Sequence, residues 1–386
     1  MIKREYLISC FFLIYLFCVC TQLDIYNGDI AVNSLKSKQA ILGVILSIGA
    51  VFACKNLKKL KFDKSSFFIF FAFNLYFLLH LFVFEQNLTV LKNIIITDLM
   101  ILSALMFYTV LKNDIFIFKK VLHVFLIFNA LMLLLQFCLY YVFKVYIDVH
   151  SFFFPFSRSL DETLSWGIFR PRGMQLEPGV YSIVMITGVI ISYALSNKVK
   201  ILHVFLLGTV FLTTSISGIL TATLLIIYLS FNTNNYRSVI SVLLFLSFTI
   251  ALLLNLGLYE YLDTRYFSRV VFDEDSSDGS KLQALTFLVN ADFPRIFWGS
   301  GYSVNDTDVD VYIRSLGPLF SSIFFAGIFG AIFYLYLLSK IKRKLVFLLL
   351  ILSVLKVGLD FPLYWMAIFL LQTRRHNNNH KKEYRV

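Results

Sequence analysis

The sequence predicts an all-α, polytopic integral membrane protein. Hydrophobic residues make up 59% of the 386-residue chain and charged residues only 15%, against roughly 25% charged in ordinary soluble domains. Apolar runs of near-spanning length follow one another from end to end, and lysines and arginines gather in short segments between them. These features leave no room for a large soluble domain, so residues 1–386 read as one transmembrane domain.

A spanning helix needs roughly 20 predominantly apolar residues. Met1 to Arg4 followed by the apolar run 6–23 has the outline of a signal peptide. No small-residue cleavage site follows Cys18-Val19-Cys20, so a retained first helix is expected. Further runs occupy 40–54, 66–84, 93–111 and 121–143. The run 178–196 should begin at Glu177-Pro178, because proline suits the first helical position, where its missing N–H would be unpaired anyway. Runs 238–256 and 313–338 complete the simple spans.

Two longer stretches, 201–231 and 345–371, exceed one comfortable span and fall short of two. Each has an internal break, Thr213-Thr214-Ser215-Ile216-Ser217-Gly218 in the first and Lys356-Val357-Gly358-Leu359-Asp360-Phe361-Pro362 in the second. Each is read as a pair of short helices meeting at one membrane face, which makes about twelve transmembrane helices.

The formal net charge of +12 raises the question of nucleic acid, but its distribution argues for membrane topology instead. With both pairs split, 22 of the 35 basic residues fall on segments that would face the cytoplasm, in line with the positive-inside rule. Treating 201–231 as one helix would turn the basic segment Lys340 to Lys344 outward. The expected placement is therefore multi-pass in a membrane, with both termini cytoplasmic. No nucleic-acid partner is expected.

This topology puts two long loops on the outer, periplasmic face, 144–177 and 257–312. Between them they hold Arg158, Arg170, Arg172, Arg265, Arg269, Lys281 and Arg295, with Arg314 at the next helix start. Basic residues retained outside, against the topological bias, suggest anion binding. Arg170 and Arg172 lie just upstream of Glu177, where guanidinium forks can grip a phosphate by paired hydrogen bonds. Gly173 would allow a sharp turn or a close approach to a ligand. The plainer reading of this stretch is arginines on lipid headgroups and an acid at the positive end of a helix dipole. Arg265 and Arg269, four apart on an expected helix, share a face.

Other motifs carry less. The acidic stretch Asp273 to Gly279 lacks the alternation of a calcium loop, and the run Asp306 to Asp310 either marks a helix end or binds sugar hydroxyls. Phe297-Trp298-Gly299-Ser300-Gly301-Tyr302 has no following Lys-Ser/Thr and so is no nucleotide loop; its aromatics suit a membrane rim or a sugar ring. The histidines show no ligand spacing, and only His150 falls on an outer loop, which argues against a zinc site or a histidine triad. No metal or cofactor is expected. Cys10, Cys18, Cys20, Cys54 and Cys138 lie in or at the ends of apolar runs and are expected to be buried thiols.

Taken in order, these motifs resemble the O-antigen and capsule repeat-unit polymerases of the Wzy type and, more distantly, the O-antigen ligases. The resemblance spans 170–330. It rests on Arg170-x-x-Gly173 with Glu177-Pro178, Thr214-Ser215-x-Ser217-Gly218, Trp298-Gly299-Ser300-Gly301-Tyr302, Asp310-x-Tyr312 and Phe325-Ala326-Gly327-x-x-Gly330. Two departures stand out: Lys281 follows Gly279-Ser280 where the family often has arginine, and the second loop lacks the ligase-type histidine.

The resemblance implies a GT-C-like scaffold and a glycosyltransferase that needs neither metal nor nucleotide. Its partners would be a polyprenyl-pyrophosphate-linked oligosaccharide, membrane lipid and a chain-length regulator protein. Arg170, Arg172 and one of Arg265, Arg269 or Arg314 would hold the diphosphate, and Glu177 would act as the base. Gly173, Lys281, Tyr302 and Asp310 would complete the substrate site. A flippase or transporter for lipid-linked sugars is the alternative, with Asp98 as an acid inside a span and the break at 213–218 as a discontinuous helix.

Overall fold

A computed structural model describes residues 4–21, 23, 28–54, 64–83, 88–155, 169–232, 286, 289–300 and 316–373. Among these, every regular element is a helix: α1 Arg4–Cys18, α2 Gly28–Ala53, α3 Lys64–Val83, α4 Leu88–Leu111, α5 Ile115–Tyr141, α6 Val149–Phe153, α7 Pro178–Ser196, α8 Ile201–Leu212, α9 Ile216–Phe231, α10 Phe293–Trp298, α11 Pro318–Lys340, α12 Arg343–Val354 and α13 Pro362–Thr373. Five of them are long and apolar enough to cross a membrane, and three of the shorter helices are also apolar. The protein is an all-α, multi-pass membrane protein. The run 238–256 lies outside the described residues.

The helix starts follow local chemistry. Proline opens α7, α11 and α13, where its fixed φ is already helical and no N–H is lost. Asp114 caps α5 by accepting from the Ile117 amide at 3.0 Å. At its far end α7 stops on Asn197 in the left-handed region, as helices often do.

Helix α7 is the axis of the bundle. Apart from its first turn, nearly all of it is buried, and it packs against α5, α8, α9 and α13. Burial on all sides is what a uniformly apolar helix achieves in the middle of a bundle. On the flank, Phe12 and Tyr15 of α1 pack with Phe107 of α4 and Phe118 of α5, and the Tyr15 hydroxyl meets Ser103 at 2.9 Å. Large apolar side chains such as Phe52, Ile201 and Phe231 are exposed, as expected for a surface solvated by hydrocarbon.

Both long apolar stretches are broken where the sequence places the breaks. Helices α8 and α9 are separated at 213–215, and α12 and α13 at 355–361. A 12-residue helix rises only about 18 Å, so α8, α12 and α13 each fall short of roughly 30 Å of hydrocarbon and leave the backbone of the breaks at membrane depth. Interrupted backbone at membrane depth is tolerated where protein covers it or it lines a cavity. The first break is covered by α7: Tyr181 bonds Thr209 at 2.7 Å and Ser182 meets Thr213 at 3.3 Å. The second is anchored by Trp365, whose indole N–H donates to the Leu359 carbonyl at 2.6 Å.

A further interruption lies within α11. Gly327 has φ +53° and ψ −134°, and a Cβ there would come within 2.6 Å of the Phe297 and Ile296 carbonyls. Only glycine accommodates that approach. It seats α10 in the kink, where the Tyr76 hydroxyl donates to the Trp298 carbonyl at 2.7 Å.

The cysteines correct one expectation. Among the described residues all five are free thiols, but only Cys20 is buried; Cys10 and Cys138 are exposed. An apolar run in a bilayer faces lipid as readily as core, so apolar surroundings in the sequence do not imply burial.

The α7 N-terminus, both breaks and residues 19–21 after α1 share one end of the bundle, and the α7–α8 connection lies at the other. In a cysteine-free background, Lys38→Cys and Lys356→Cys should therefore react with an impermeant maleimide from one side of the membrane, and Lys198→Cys from the opposite side. Labelling of all three from one side would contradict the arrangement.

Candidate functional site

The segment 169–177 is pinned to the bundle by a polar face of α5. The Gln136 carboxamide oxygen accepts from the Arg172 and Gly173 amides at 3.1 and 2.8 Å, while its nitrogen donates to the Ile147 carbonyl at 3.2 Å. About two turns lower, Asn129 accepts from the Gln175 carboxamide at 3.0 Å. At the top, the Tyr141 hydroxyl donates to the Phe169 carbonyl at 3.1 Å and Tyr140 stacks on the Phe169 ring. Asn129 and Gln136 are seven apart in an otherwise apolar span, so they share a face. That spacing was the available signal for two residues the sequence reading passed over.

Gly173 adopts φ +60°, and a Cβ there would sit 3.1 Å from the Asn129 carbonyl. Its turn is therefore used to press the loop onto α5.

The two arginines of the loop part company. Arg172 is 1% exposed. Its guanidinium pairs with Asp148 at 2.9 Å and donates to the Leu176 carbonyl at 2.8 Å. Asp148 also caps α6, accepting from the Ser151 amide and hydroxyl. Arg172 thus faces the protein interior, and its position makes it a clamp on the loop rather than a group presented to a ligand. Arg170 is half-buried and reaches the first helix break, where its Nε donates to the Thr214 hydroxyl at 3.2 Å. Thr214 itself has φ +50°, a costly conformation for a β-branched residue that persists only where the surroundings impose it.

His150 is buried rather than facing outward: its Nδ1–H donates to the Met174 carbonyl at 2.7 Å. Burial holds its imidazole below its ordinary value of 6.5, with Arg172 pushing the same way and the Met174 bond and Asp148 opposing.

Glu177 is the N-cap residue of α7, but its side chain makes no capping bond. It lines a cavity of about 260 Å³ together with Thr21, Lys36, Gln39, Lys356 and Asp360. The cavity sits between the α7 N-terminus, the α1–α2 connection and the second helix break. Gly179, also in its wall, has Ser215 of the first break as its nearest neighbour. Both breaks, Arg170 and Glu177 thus surround the first turn of α7. On the other side of the second break, an apolar groove of about 330 Å³ runs between α3 and α11, with Leu359 in its wall.

No protein-family model, curated protein or solved structure matches this chain. The site is therefore read on its own chemistry. Arg265, Arg269, Lys281, Tyr302, Asp310 and Arg314 lie outside the described residues, as does Arg158. Among the described residues, no three His, Cys, Asp or Glu side chains gather as metal ligands would.

Two measurements test the clamp. Arg172→Gln removes the guanidinium from its buried pair with Asp148 and should cost about 3–5 kcal/mol of stability, read as a lower thermal midpoint in detergent, with Asp148→Asn added to it restoring part of the loss. His150 supplies a pH signature. In the unfolded chain its imidazole takes a proton at its ordinary value; in the folded chain it resists. The stability it contributes is therefore complete above pH 6.5 and is lost as pH falls from there through the lowered folded value. His150→Gln should flatten that acid-side decline.

Proposed function

We propose that this protein polymerises oligosaccharide repeat units carried on a polyprenyl diphosphate, at the outer face of a bacterial cytoplasmic membrane. The observation that carries this reading is the convergence of Arg170, both helix breaks and the carboxylate of Glu177, which makes no capping bond, around the α7 N-terminus. The proposal keeps about twelve spans, a GT-C-like scaffold and cytoplasmic termini.

In the reaction, an acceptor sugar hydroxyl attacks the anomeric carbon of the donor. A C–O bond forms as the bond to the diphosphate oxygen breaks, the electron pair stays on the diphosphate, and the hydroxyl proton passes to Glu177. The leaving diphosphate gains negative charge, which fixed cationic and N–H groups in a partly dry cleft can stabilise. Arg170 is suited to that task because it sits at the start of α9, whose first turn has no side-chain cap; helix N-termini favour anions. One of Arg265, Arg269 or Arg314 is proposed to join it, with Gly173 and Arg172 shaping the loop behind it. Lys281, Tyr302 and Asp310 remain proposed sugar contacts. The apolar groove beside Leu359 would suit an isoprenoid chain, and a chain-length regulator is the proposed protein partner.

A second reading, a flippase for lipid-linked sugars, draws on the two broken helices and on Asp98, whose buried carboxylate oxygen has no hydrogen-bond partner among the described residues. A deletion strain separates the two: single repeat units on the surface indicate a lost polymerase, and no surface sugar indicates a lost flippase.

With a defined lipid-linked repeat unit and purified protein, Arg170→Ala should lower chain extension by at least about 10²-fold while inserting normally. Glu177→Gln should lower kcat by about 10²–10⁴-fold. Wild-type polymer length in Arg170→Ala would remove that residue from the mechanism.

A further inference from the structure

The cavity at Glu177 is lined by groups of mixed charge and polarity. Its described charged lining is two lysines, Lys36 and Lys356, and two carboxylates, Glu177 and Asp360, with the Cys20 thiol beside them. Lys36 and Asp360 are paired at 2.9 Å. Glu177 and Lys356 make no ion pair among the described residues. The formal charge of this lining is zero, so an anion entering it would meet two carboxylates and a cation would meet two ammonium groups.

Thr21 adds an independent observation. It is 1% exposed, lies in the cavity wall, and its hydroxyl has no hydrogen-bond partner among the described residues. A buried hydroxyl is ordinarily satisfied, and this one, beside the cavity, has no partner among the described residues. Gln39 helps hold that wall, since its carboxamide donates to the Cys18 and Thr21 carbonyls at 2.8 and 3.0 Å. The remaining surface, which includes Val180 and Phe361, is apolar.

Donors of both kinds, acceptors of both kinds and an apolar wall, with no surplus charge, match a neutral polyhydroxylated ring. Its hydroxyls can donate to Glu177 and Asp360 and accept from Lys36, Lys356 and Thr21, while a C–H face lies on the apolar wall. At about 260 Å³ the space is a little below the roughly 300–1,000 Å³ of drug-sized pockets, which suits one ring and not an extended oligosaccharide. We propose that this cavity seats the terminal, uncharged sugar of the acceptor chain, with Thr21, Lys36, Lys356 and Asp360 reading its hydroxyls and Glu177 holding the one that reacts. This rests on the polymerase reading for the word acceptor, and on the cavity alone for the sugar.

The test uses the full chain in lipid nanodiscs. Glu177 is labelled with a water-soluble carbodiimide and amine, and its modification is followed by peptide mass. A panel of neutral methyl glycosides should slow labelling, and inorganic pyrophosphate at the same concentration should not. Thr21→Val and Asp360→Asn should each raise the glycoside concentration needed for protection by about 3- to 10-fold, and Thr21→Ser should retain the protection. In the extension assay, Thr21→Val should raise the acceptor KM by about 3- to 10-fold, the worth of one hydrogen bond, with kcat little changed. Protection by pyrophosphate and not by glycosides, or by neither, would overturn the sugar assignment even if chain extension depends on Arg170. Glycoside protection in a protein whose Arg170→Ala variant extends chains normally would instead uphold the sugar site and remove the polymerase mechanism.

Discussion

The buried pair between Arg172 and Asp148 is the interaction on which the arrangement depends. An unpaired guanidinium in a low-dielectric interior is strongly unfavourable, and a paired one is acceptable only when its remaining donors are used. Here the partner carboxylate caps α6 and a second donor goes to the Leu176 carbonyl. The pair therefore joins three things at once: the helix that starts the loop, the turn at Gly173 and the residues that enter α7. Gln136 and Asn129 fasten the same segment from the side of α5. Where Glu177 and Arg170 stand follows from that fixation.

The bundle then solves a problem particular to membranes. Backbone that leaves helical geometry within the hydrocarbon must find other partners for its N–H and C=O groups. Both breaks are kept at one end and packed near the largely buried α7, and their short polar side chains and turns satisfy much of the backbone. Thr213 shows the economy of this: its hydroxyl donates to the Val210 carbonyl and accepts from the Ser215 amide. Irregular backbone, uncapped helix starts and a small polar cavity are thereby gathered in one place, which is how a largely apolar protein can present polar chemistry to a ligand.

Much of this was legible from residue order. Proline at 178, the threonine- and serine-rich break at 213–218 and the glycine–aspartate–proline break at 356–362 act within a turn or two of where they stand, so they mark helix limits without help from the rest of the fold. The thiols show where such reasoning ends. Cys20 is buried and Cys10 exposed within one helical segment and its continuation, because lipid and protein core are equally apolar and only packing chooses between them.

The sequence by itself determined the all-α membrane class, the helix starts and the two interruptions, since chain entropy, backbone hydrogen bonding and hydrocarbon thickness act locally. Tertiary structure alone decided that Arg172 turns inward to Asp148 while Arg170 reaches Thr214, and that Glu177 shares a cavity with a Lys36–Asp360 pair 324 positions apart. Such choices belong to packing, because a charged side chain takes whichever partner the folded bundle brings within a few ångströms, and separation along the chain carries no record of it.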